Sequence, residues 1–136
     1  MQVREIMTTR VVSIPPDSNV KDAAALMNKH NIGSVPVVEG GAVRGILTDR
    51  DIVLRCVAEG RDASGVRVSD ICSSGAVSVQ PGQSLSDAVH MMASEQVRRL
   101  PVVEDGKLVG MLSLADVARE KSGMELAEAV SDISMP

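Results

Sequence analysis

Apolar residues recur in this chain at two characteristic spacings. Val20, Ala23, Ala24 and Met27, and later Leu85, Ala88, Val89 and Met92, stand at i, i+3, i+4 and i+7, the stripe of a helix that buries one face. Each stripe follows a capping pair, Asn19-x-x-Asp22 and Ser84-x-x-Asp87, in which a side-chain oxygen satisfies a free N–H of the first turn. The spacing predicts two helices of about three turns. Short β-branched runs precede them: Val11–Ile14, stopped by Pro15-Pro16, and Ala76–Val79, stopped by Gln80-Pro81-Gly82, read as brief strands. After each helix come two more apolar runs, Ser34–Val38 and Val43–Leu47 joined through Gly40-Gly41, then Leu100–Val103 and Leu108–Leu112 joined through Asp105-Gly106, both hairpin signals. Thr48 and Ser113 open a second helix in each half. The order is strand, helix, strand, strand, helix, twice over, an α/β (α+β) fold of two β-α-β-β-α repeats.

The two halves are copies. A shift of 65 positions lays Val11–Val53 over Ala76–Ala118 without a gap, and Pro, Val-Val-Glu, Gly, Gly and Asp recur at fixed offsets. We therefore divide the chain into repeat 1 at 1–62 and repeat 2 at 63–136, with Glu59–Val68 as the surface link. A single copy of about 60 residues buries only about 60% of its unfolded surface and is marginal alone, which predicts one core shared by both. The tail beyond Gly123 carries Leu126, Val130 and Ile133 at helical spacing and reads either as a terminal helix packed on the core or as a dimerisation arm.

Composition narrows the ligand. The 136 residues are 44% hydrophobic and 24% charged, yet contain no Phe, Tyr or Trp, so aliphatics and eight Met fill the interior. Without aromatic faces the chain lacks the stacking platforms of single-stranded nucleic-acid binders, and a net charge of −4 argues against a duplex or membrane-surface partner. A small molecule is the expected ligand. Cys56 and Cys72 make no disulfide framework, and two His without a Cys-x-x-Cys spacing make no zinc pattern. Cys72, which falls opposite Met7 in the repeat, reads as a small core or linker hydrophobe, and His30 and His90 as helix-surface residues. The charges in Met1-Gln-Val-Arg-Glu-Ile-Met7 do not suit a signal peptide, and no apolar run is long enough for a membrane span, which points to a soluble cytoplasmic protein.

The chemistry lies in Gly45-Ile-Leu-Thr48-Asp-Arg-Asp51 and Gly110-Met-Leu-Ser113-Leu-Ala-Asp116, which share Gly, two apolar residues, a hydroxyl and an Asp three residues later. Thr48-x-x-Asp51 and Ser113-x-x-Asp116 have capping-box spacing, and a cap alone accounts for both polar residues. The same geometry suits a ligand. A hydroxyl beside free backbone N–H groups meets a phosphate, and a carboxylate offers two acceptors to the vicinal hydroxyls of a ribose. No catalytic triad, metal set or paired carboxylates can be placed together, so the chain does not read as an enzyme.

These features resemble the tandem cystathionine-β-synthase (CBS) domain pair, or Bateman module: the duplicated unit, Ser34-Val-Pro-Val-Val38 with Leu100-Pro-Val-Val103, and the two Gly-x-x-(Thr/Ser)-x-x-Asp segments. The resemblance implies a pseudo-two-fold module with clefts at the repeat interface that take AMP, ADP, ATP or S-adenosylmethionine as a regulatory ligand, with no cofactor required, and a homodimer that signals to an effector protein. Asp51 and Asp116 then hold ribose hydroxyls, and Thr48 and Ser113 meet phosphate or ribose. Adenine lies among Val12, Ile14, Ile32, Val35 and Pro36, or among Val77, Val79, Val97, Leu100 and Pro101. Arg98 and Arg99, standing opposite Gly33 and Ser34, are either phosphate ligands or solvated arginines at a strand edge. The fuller match of Thr48 to Asp51 implies one stronger site there, with Arg98 or Arg99 reaching across, and a second site that is weak or empty. The alternative is a structural module that binds no ligand and acts through homodimerisation or docking.

Overall fold

In a computed structural model, which describes residues 1–75, 77–120 and 130–133, Gly40 and Gly41 take φ of 59° and 84°, and Asp105 and Gly106 take 51° and 77°. Positive φ at both central positions is what a two-residue hairpin turn requires, because its twist then matches that of the flanking strands. These turns join β1 (Ser34–Glu39) to β2 (Ala42–Thr48), and β4 (Arg99–Glu104) to β5 (Lys107–Ser113); β2 also pairs with β3 (Ser73–Ser74), and all pairings are antiparallel. Both hairpins shift register at equivalent places, Val37/Val38 and Val102/Val103. The copying thus extends to a bulge in the ladder.

The brief strands expected over Val11–Ile14 and Ala76–Val79 shrink to single bridges, Ile14 with Val37 and Val79 with Val102. Ile14 donates to the Pro36 carbonyl and accepts from the Val38 N–H, and the prolines that follow leave no room for a longer ladder. Ala76 itself lies outside the described residues. The first helices form where expected, α1 over Val20–His30 and α4 over Leu85–Glu95, capped by Asn19 and Ser84. Their buried faces are Val20, Ala23, Met27 and Leu85, Ala88, Met92; Ala24, expected on the stripe, is exposed, as is His30 at the end of α1. The second helices are short: α2 (Asp49–Ile52) runs into a π-helical turn at Val53–Val57, α3 (Val68–Ile71) follows the link, and α5 (Leu114–Ala118) closes the second repeat.

By contact the described residues group into one unit drawn from 12–76 and another drawn from 1–11 and 77–136. The grouping does not coincide with a cut between 62 and 63, because the segment leading into each repeat packs with the body of the other copy's unit. Val3 donates to the Gln83 carbonyl and Thr8 bridges Met111 in one unit; at the equivalent positions of the other, Val68 donates to the Ser18 carbonyl and Ser73 pairs with Ile46. This exchange corrects the expectation of one shared core. Each unit has a cluster of its own, completed by borrowed residues: Val66, Val68 and Ile71 join Val20, Val35 and Leu47, while Val3 joins Leu85, Met92 and Leu112. Ile133 is buried in that second cluster and the Gln96 side chain donates to the Asp132 carbonyl, so residues 130–133 pack on the core. Leu126 lies outside the described residues.

Candidate functional site

The hydroxyl-aspartate junctions sit where the last strand of each hairpin turns into its short helix. In the first, the Asp51 N–H donates to Thr48 Oγ1 and the Thr48 N–H donates to Asp51 Oδ2, both at 3.0 Å. In the second, the Asp116 N–H donates to Ser113 Oγ at 3.1 Å and the Ser113 N–H to Asp116 Oδ2 at 2.9 Å. Both are reciprocal capping boxes. Each box leaves the hydroxyl hydrogen free to donate and one carboxylate oxygen outside the box.

That remaining oxygen differs between the copies. Asp116 Oδ1 accepts from Arg119 Nη2, the Thr8 hydroxyl lies 3.4 Å from both carboxylate oxygens, and only 3% of Asp116 is exposed. Asp51 is half-buried, and among the described residues no further group bonds its carboxylate. The positions equivalent to Thr8 and Arg119 are Ser73, which is exposed, and Leu54, which has nothing to donate. Arg119 escaped the sequence reading, although its i+3 spacing from Asp116 was visible there.

A backbone bond ties each junction to the residue before the first hairpin strand: the Asp49 N–H donates to the Gly33 carbonyl, and the Leu114 N–H to the Arg98 carbonyl. Charge at this corner reverses between the copies. A Cβ at Gly33 would lie 3.0 Å from Asp49 Oδ2, so the first copy has a carboxylate against glycine, while the second has exposed Arg98 and Arg99 beside an apolar Leu114. Arg98, Arg99, Ser113, Leu114 and Ala118 line a shallow, open cavity of about 420 Å³, and Val130 borders it.

The apolar residues assigned to adenine divide by burial. Ile14, Val35, Val79 and Leu100 belong to the cores of their units, and Pro36 and Pro101 are buried in the strands. Val12, Ile32, Val77 and Val97 are only partly buried and keep apolar surface.

The glycines before each junction are close-approach positions. A Cβ at Gly45 would lie 2.2 Å from the Ser73 carbonyl oxygen, and one at Gly110 would lie 2.8 Å from Met7 Sδ and 3.0 Å from the Thr8 oxygen. They admit the borrowed segment, and this structural need accounts for both. Cys72, on that segment, has its thiol pushed above the ordinary range by burial first and by the negative charge of Asp51 second. Cys56 is buried, with its Sγ 3.5 Å from the Arg61 carbonyl oxygen. Among the described residues no three His, Cys, Asp or Glu come together as metal ligands, and no helix is long and apolar enough to cross a membrane.

The fold is that of a CBS-domain pair. The CBS domain family model matches residues 3–57 and 68–123, and the chain belongs to that family. The CBS domain-containing protein YhcV of Bacillus subtilis is 45% identical over 133 residues, which span 97% of this chain and 94% of that protein. Among solved structures, Hypoxic Response Protein I with two coordinated zinc ions superposes with a TM-score of 0.83 at 31% identity, over 90% of this chain and all of the other. The CBS domain pair of MJ0100, in complex with 5-methylthioadenosine and S-adenosyl-L-methionine, shares the fold with a TM-score of 0.77 at 22% identity, over 88% of this chain and 94% of the other.

Proposed function

We propose that this chain is a regulatory module that senses an adenosine-containing ligand of the AMP, ADP, ATP or S-adenosylmethionine type, held by Thr48 and Asp51, and that an effector protein reads the liganded state. The observation that carries the reading is the Asp51 carboxylate. It is fixed by its capping box, half-buried, and has one oxygen that no other described residue bonds. A ribose diol supplies donors for such a carboxylate, and the Thr48 hydroxyl adds one toward a ribose or phosphate oxygen. Val12 and Ile32 provide apolar surface for the base. That a related fold, the MJ0100 pair, holds two adenosine derivatives supports this choice of ligand class. A switch follows only if the ligand binds one arrangement of the module better than another.

Dye-detected thermal shifts with AMP, ADP, ATP, S-adenosylmethionine and NADH test the reading, since the chain has no Trp or Tyr to report. At about 1 mM ligand and a Kd of about 10 µM, binding stabilises the fold by about 2.7 kcal/mol. The shift disappears in Asp51→Ala; a shift that survives undiminished there, or none with any compound, overturns the assignment.

A second reading, an interaction module that pairs with another copy and binds no nucleotide, draws on the second helix of the first repeat. Val53, Leu54 and Val57 are 54%, 46% and 65% exposed there, an apolar run that water disfavours. It predicts a dimer by sedimentation that Val57→Asp dissociates, together with melting indifferent to every adenosine compound.

A further inference from the structure

The two aspartates occupy equivalent backbone positions and make the same capping box, yet among the described residues a cation engages only Asp116. Asp116 has Oδ2 taken by the Ser113 N–H and Oδ1 by Arg119, with the Thr8 hydroxyl close to both. A ligand diol reaching for this carboxylate must displace a charged donor with neutral ones, an unfavourable exchange because charge-assisted hydrogen bonds are the stronger kind. It must also reach a side chain that exposes 3% of its surface. The Arg119 side chain is 66% exposed although the carboxylate it meets is buried. Its effect is occupancy: it fills the acceptor that the equivalent Asp51 leaves open, where the residue three positions on is Leu54.

We infer that Arg119 is a specificity-determining latch which closes the second repeat's diol-binding carboxylate, so that the chain takes one adenosine-type ligand where its duplicated sequence offers two. The inference rests on the assignment of the first site to Asp51, and it explains why two nearly identical motifs do not make two sites. Thr8 is an accessory to the latch, whereas Ser113, like Thr48, holds its aspartate in place.

Equilibrium dialysis with AMP, ATP and S-adenosylmethionine in turn tests it on the full chain. Wild type binds one ligand per chain; Arg119→Leu, which installs the first repeat's residue, binds two; Arg119→Lys, which keeps a cation, stays at one. Arg119→Leu with Asp116→Ala returns to one. Melting curves show first that each variant is folded, so that the ligand count is read on native protein. Two ligands bound by wild type, or one by wild type and still only one by a folded Arg119→Leu, overturn the latch while leaving Asp51 intact. No ligand on wild type but one on Arg119→Leu upholds the latch and removes Asp51 from the reading. No binding to either protein overturns both.

Discussion

Two junctions that share sequence, register and capping geometry have been put to different uses. At the second, the Asp116 carboxylate is absorbed into the protein by Ser113, Arg119 and Thr8; at the first, Asp51 places one oxygen in its cap, and no other described residue bonds the second. The difference teaches that a conserved polar pattern fixes the position of a side chain without deciding whether it is free. That is decided by residues outside the pattern: Arg119 against Leu54, and Thr8 against Ser73. The charge reversal between Asp49 beside Gly33 and Leu114 beside Arg98 follows the same rule.

The comparison breaks most readily at the glycines. Gly45→Ala drives a Cβ to 2.2 Å from a backbone carbonyl, which cannot yield without moving β3, whereas Gly110→Ala first meets the flexible Met7 thioether. We expect losses of about 3 kcal/mol and about 1 kcal/mol respectively, read as melting shifts at roughly 3–5 °C per kcal/mol. Equal losses would show that the two borrowed segments are held alike.

Next come the aspartates. Asp116→Ala removes a cap together with the carboxylate's bonds to Arg119 and Thr8, at about 2 kcal/mol, while Asp51→Ala removes only a cap, at about 1 kcal/mol. Urea titrations of both variants measure the gap, and a larger loss at Asp51 would contradict the account of the two sites. Thr48→Ala and Ser113→Ala each lose one acceptor for an N–H and cost about 1 kcal/mol, equal within error by the same titration.

The smallest effect is alkaline. The folded Cys72 thiol titrates above its unfolded value, so the stability it contributes is fully present below the unfolded thiol pKa of about 8.5 and is lost as pH rises through the folded value. Wild type therefore loses stability more steeply than Cys72→Ser as pH rises above about 8.5. At pH 8 Cys72 also reacts with iodoacetamide more slowly than a free thiol, because less of it is thiolate, and Cys56 reacts only on unfolding.

Much of the fold was legible because its signals are local. Capping pairs, turn residues that tolerate positive φ and helical apolar stripes need no distant partner, and α1, α4 and both hairpins stand where their residues place them. Ala24 shows the limit, since it fits the helical period and still faces water. The residues assigned to a base-binding surface show another: Val12 and Val35 read alike in sequence, but Val35 is consumed by the core while Val12 keeps exposed surface.

What the amino-acid sequence determined by itself is the duplication, the element order and the identity of the two hydroxyl-aspartate pairs, all set by neighbours a few residues away. Tertiary structure alone decided that each lead-in segment completes the other copy's core, that two clusters form in place of one, and that Thr8 meets Asp116 while, among the described residues, nothing equivalent meets Asp51. The physical reason is range. Turns and caps are bought with local backbone geometry, whereas the pairing of Thr8 with a carboxylate more than a hundred residues away depends on how buried apolar surface is shared out, and no spacing along the chain records that.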